Sequence, residues 1–91
     1  MADDELAFLN LVLTLGTLAK SRLDAAARGG EGRNESLKRA RDSIDMLGAL
    51  RKRTVGRLTV EEDKVVDALM RDLQSAYVRT LARAPGGAAD A

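Results

Sequence analysis

From Leu6 to Leu23, nearly every residue up to Ala19 is apolar or small. A projection at 100° per residue gathers Asn10, Thr14, Thr17 and Ser21 into one narrow uncharged strip. The rest of the circumference runs through Leu11, Leu15, Leu18, Phe8, Val12, Ala19, Leu23, Leu9 and Leu13. A surface helix ordinarily shows an apolar stripe about 100° wide or a little more. This helix therefore needs cover on two sides. Asp3, Asp4 and Glu5 put carboxylates in its first turn, against unpaired N–H groups and the positive end of the dipole. The pattern predicts a helix from Asp3 to Ala27. Gly16 costs roughly 1 kcal/mol relative to alanine in such an interior. A backbone packed close against it would explain that cost, and a tolerated glycine without a partner is the alternative.

Arg28-Gly29-Gly30-Glu31-Gly32-Arg33 reads as a loop, because three glycines in four residues remove helix propensity. It shares only glycine content with phosphate-cradling loops: the G-x-x-x-x-G-K-[ST] pattern and a preceding strand are both missing. A second helix is expected from an N-cap at Asn34 to about Thr54, with Leu37, Ala40, Ile44, Leu47 and Leu50 as its buried stripe. Lys38–Asp42 and Arg41–Asp45 are i,i+4 pairs worth ~0.2–0.5 kcal/mol each. Arg51 falls near the apolar stripe, placed to snorkel or to reach a carboxylate on a neighbour.

Gly56 suits the left-handed position that ends a helix, with Leu58 folding back over the last turn. Thr59 and Glu62 have capping-box spacing, followed by Glu61, Glu62 and Asp63 in a first turn. Helices 2 and 3 must then form an antiparallel hairpin. Helix 3 is expected from Val60 to about Ala82, with Val66, Leu69, Leu73, Ala76 and Thr80 as its seam, widened by Val65, Met70 and Tyr77. The fold class is all-α: residues 1–83 form a single three-helix domain, its long apolar helix 1 packed on the hairpin and dimerising into a helical bundle. Residues 84–91, with Pro85, Gly86 and Gly87, are expected to be a disordered tail.

Composition narrows the chemistry. The 91 residues contain no cysteine and no histidine, which removes disulfides, thiolate nucleophiles and the commonest metal ligand and general base. Phe8 and Tyr77 are the only aromatic residues, and the formal net charge is +1, so no global field draws the protein to polyanions. The N-terminus is acidic where a signal peptide would be basic. The apolar run of about 14 residues falls short of the roughly 20 needed to span a bilayer, so a cytoplasmic, soluble protein without a membrane span is expected.

Three stretches carry a family resemblance: Phe8, Val12 and Leu15 in helix 1; Ala40-Arg41-Asp42-Ser43-Ile44-Asp45-Met46-Leu47; and Arg53-Thr54-Val55-Gly56-Arg57-Leu58-Thr59 with Tyr77-Val78. On these residues the chain, from Phe8 to Arg79, resembles the bacterial family catalogued as domain of unknown function 1844. It departs from that pattern at Arg51 and Lys52, where relatives are often acidic, and at Gln74 and Ala76, where arginines are common. The resemblance implies a helical fold and supplies no activity. Some actinobacterial relatives are encoded beside translation-initiation and ribosomal-protein genes, which implies a tie to RNA or the ribosome.

No catalytic, cofactor or metal site is expected. Glu61, Glu62 and Asp63 point in different directions on a helix, and a negatively charged first turn is what helix 3 needs. Tyr77 reads as a core ring. A non-enzymatic, homo-oligomeric interaction module is therefore the leading reading, with self or an unidentified protein as partner. Its expected interface is Leu9, Leu11, Val12, Leu15, Gly16, Leu18 and Ala19. The alternative is a nucleic-acid or ribosome-associated accessory protein using Lys38, Arg39, Arg41, Arg51, Lys52, Arg53 and Arg57, a basic footprint suited to phosphates but without an aromatic residue to stack on bases.

Overall fold

The computed structural model describes residues 3–83, which form three antiparallel helices in up-down-up order: α1 (Asp3–Ala27), α2 (Arg33–Arg53) and α3 (Val60–Ala82). No strand occurs among the described residues. The stretch expected as a disordered tail, 84–91, lies outside them.

The core is where the three apolar stripes meet. From α1 it takes Val12, Ala19, Leu23 and Ala26; from α2, Leu37, Ala40, Ile44 and Leu47; from α3, Val66, Met70 and Leu73. Phe8, Leu15, Leu50, Leu58, Leu69 and Tyr77 pack around its edge. The buried stripe of α1 is built largely of small residues, and the largest fully enclosed side chains are Leu47, Val12 and Val66. Burying each larger one still stabilises the fold by ~1.5–3 kcal/mol.

Both connectors work through their ends. Gly56 sits at φ 79° after α2, and the Thr54 hydroxyl donates to the Leu50 carbonyl at 2.8 Å. Thr59 caps α3 as its spacing predicts: its hydroxyl accepts the Glu62 N–H at 3.1 Å, and the Glu62 carboxylate accepts the Thr59 N–H at 2.8 Å. The same hydroxyl donates to the Glu5 carboxylate at 2.7 Å, tying the start of α1 to the start of α3.

The start of α2 differs from expectation. Its N-cap is Gly32, left-handed at φ 85° and without a side-chain cap, and Asn34 lies exposed in the first turn. The Ser36 N–H bonds the Gly32 carbonyl at 2.8 Å, so the helix is already under way at Arg33. That placement has a use. The Arg33 guanidinium donates to the carbonyls of Thr80 at 3.0 Å and Arg83 at 2.8 Å at the end of α3, where the Thr80 carbonyl also accepts the Arg83 N–H at 3.2 Å.

Among the ion pairs, Arg51 reaches across to Asp67 at 2.9 Å, the second of the two roles its place near the stripe allows. Arg41 and Asp45 are 4.0 Å apart. Among the described residues Lys38 and Asp42 do not pair, and Arg39 with Glu35 at 2.9 Å takes that place on α2.

Candidate interaction surface

The packing fixes which side of α1 faces out. Val12, Gly16, Ala19, Leu23 and Ala26 recur at three- and four-residue spacing and are buried against the hairpin. Opposite them the Asn10, Thr14, Thr17 and Ser21 strip is exposed, with leucines along both flanks. Leu6, Leu11, Leu13 and Leu18 remain 51, 48, 50 and 43% accessible. No charged residue occurs between Glu5 and Lys20, so this outward face is uncharged for about four turns. The Thr14 hydroxyl is turned back onto the Asn10 carbonyl at 2.7 Å, which satisfies it within the helix and lowers the polarity of the strip.

The seven residues expected at an oligomer interface divide. Val12, Gly16 and Ala19 are buried within the chain, Leu9 and Leu15 are half-buried, and Leu11 and Leu18 are exposed. Gly16 meets α3 of its own chain: a Cβ built on it would lie 2.7 Å from Leu69 Cδ2. Leu6 and Leu13, absent from that set, belong to the exposed face. The wheel alone could have found them, since both adjoin the uncharged strip.

By length and composition α1 also suffices to cross a membrane, with a mean hydropathy of 1.3 over 18 residues, of which 22% are buried in the bundle. The apolar run of about 14 residues counted from the sequence is shorter because it stops before Lys20 and Arg22. A 25-residue helix is not limited by that count.

The basic residues of α2 fall into two groups. Lys38, Arg39 and Arg41 lie in its first half; Arg51, Lys52 and Arg53 lie at its end, with Arg57 in the connector. Roughly 15 Å of helix separates the groups, and Asp42 and Asp45 stand between them. Arg39 is paired with Glu35 and Arg51 with Asp67, which also binds Arg71 at 2.9 Å. Lys38, Lys52, Arg53 and Arg57 are exposed. The arrangement is two short basic patches on a mixed surface.

Among the described residues no three His, Cys, Asp or Glu side chains are placed to hold a metal ion together. Glu62 is 6% exposed and occupied by its cap, Glu61 and Asp63 face solvent, and Tyr77 packs half-buried on the core.

A family model described as Domain of unknown function (DUF1844) matches residues 5–79. No curated protein and no solved structure matches the chain.

Proposed function

The chain belongs to the domain of unknown function 1844 family, and from that premise we propose that it is a non-enzymatic interaction module that self-associates through the outward face of α1. One observation supports this reading above others: four leucines, each between 43 and 51% accessible, flank an uncharged strip on a single helix. Leucines gathered along both flanks of one uncharged helix face are unlike the scattered apolar residues that soluble monomers carry, and such gatherings mark interaction sites. Met46, Val55, Val60, Val78 and Leu81 are also exposed, but they are distributed over the hairpin and its connector. A second copy supplies a matching face automatically, and two-fold pairing is the commonest closed symmetry.

Leu13→Asp and Leu18→Asp test the reading. Both positions face solvent, so each variant should keep its helical circular dichroism and lose self-association by light scattering. Unchanged association in both would remove this face from the interface.

A further inference from the structure

We infer that the second copy lies antiparallel on α1, so that the acidic start of each α1 meets the basic end of the other. This deepens the self-association reading and rests on it.

The warrant is where α1 keeps its charge. Its first turn holds Asp3, Asp4 and Glu5, and its last two turns hold Lys20, Arg22 and Asp24, with Arg28 following. Glu5 is engaged by the Thr59 hydroxyl. Among the described residues Asp3, Asp4, Lys20 and Arg79 are in no ion pair, and all four are exposed. Lys20 and Arg79 line one groove between α1 and α3, which adds α3's charge to that end; Asp72 lies in the same groove.

The apolar face is centred between these ends. Asp4 and Lys20 lie equally far from residue 12, about 12 Å to either side at the helical rise. An antiparallel two-fold sets each flank of the strip against the same flank of the copy, so a crossing at that level puts Leu13 beside Leu13 on one side and Leu11 beside Leu11 on the other. The carboxylate of Asp3, which lies on the line of the outward strip, then comes level with the Lys20 and Arg79 end of the copy at both ends at once. The two α1 dipoles also lie antiparallel, the positive end of each beside the negative end of the other. A parallel pair would instead bring acid onto acid and Lys20 onto Lys20, and like charges at close range oppose association.

Disulfide trapping reads the orientation, and the chain has no cysteine to interfere. Ala7 and Thr17 are exposed on the outward face and symmetric about residue 12. Under redox equilibration, Ala7→Cys mixed with Thr17→Cys should give a cross-linked pair, while Ala7→Cys alone should not, because its copies lie about 15 Å apart. Charge reversal gives a second readout. Lys20→Glu with Arg79→Glu should weaken association about tenfold or more at low salt, and adding Asp3→Lys and Asp4→Lys should restore it. Efficient linking of Ala7→Cys to itself, or reversal without effect at low salt, would overturn the antiparallel pairing while leaving self-association standing. Wild-type protein that stays monomeric, free or on phosphatidylcholine vesicles, would overturn self-association and this orientation with it.

Discussion

Gly16 on α1 lies directly under Leu69 on α3: a Cβ on the glycine would come within 2.7 and 2.9 Å of the two leucine methyls. The glycine is therefore spent on closure within the chain. Leu69 has a flexible end, so Gly16→Ala sets a small packing cost against the helix propensity it gains. Gly16→Leu has no such offset and should destabilise the fold by roughly 1–3 kcal/mol through overpacking. In a Leu69→Ala background the same substitution should cost less. Equal costs in the two backgrounds by urea denaturation would show that the residues do not share this space.

Thr59 uses its hydroxyl twice, accepting the Glu62 N–H and donating to Glu5. Thr59→Ala should lower stability by about 1 kcal/mol, within a range of roughly 0.5–2, and Thr59→Ser should keep most of it. A thermal melt of the alanine variant that overlays the wild type would dismiss the cap.

Arg33 spans two elements by holding the Thr80 and Arg83 carbonyls. Hydrogen bonds from a charged donor contribute roughly 1.5–3 kcal/mol, reduced here by partial exposure. Arg33→Gln should therefore destabilise the bundle modestly and speed amide exchange in the last turn of α3 most of all. Exchange that rises evenly over the whole molecule would mean the contact has no local effect.

How much of this was legible follows from the kind of interaction involved. The bounds of α1 and α3, the Gly56 stop and the Thr59–Glu62 cap are local, and each was readable from spacing within a few residues. So were the stripes of α2 and α3, whose polar faces are charged. Arg33 on Thr80 and Glu5 on Thr59 join residues 47 and 54 positions apart, and no periodicity announces such pairs. Asn34 has a side chain suited to a cap, but Gly32 turns the chain by backbone conformation alone and takes the cap position. α1 was ambiguous for a physical reason: apolar nearly all round, it offered no charged side to mark the outside. Its small residues decided the matter, since Gly16 and Ala19 let the hairpin approach and leave Leu11, Leu13 and Leu18 outward.

The basic residues of α2 give a prediction of the opposite sense. With Asp42 and Asp45 between the two groups and Arg39 and Arg51 paired, tRNA or duplex DNA should show no salt-dependent gel shift at micromolar protein. A shift that weakens on replacing Arg51, Lys52 and Arg53 with glutamine, with a flatter salt dependence, would establish phosphate-backbone binding instead.

Sedimentation equilibrium on the wild-type chain tests self-association through α1 most directly. At tens of micromolar the protein should sediment at about twice its 9.8 kDa chain mass, and Leu13→Asp should return it to the mass of one folded chain. A wild-type chain that is folded and monomeric across that range would contradict the account.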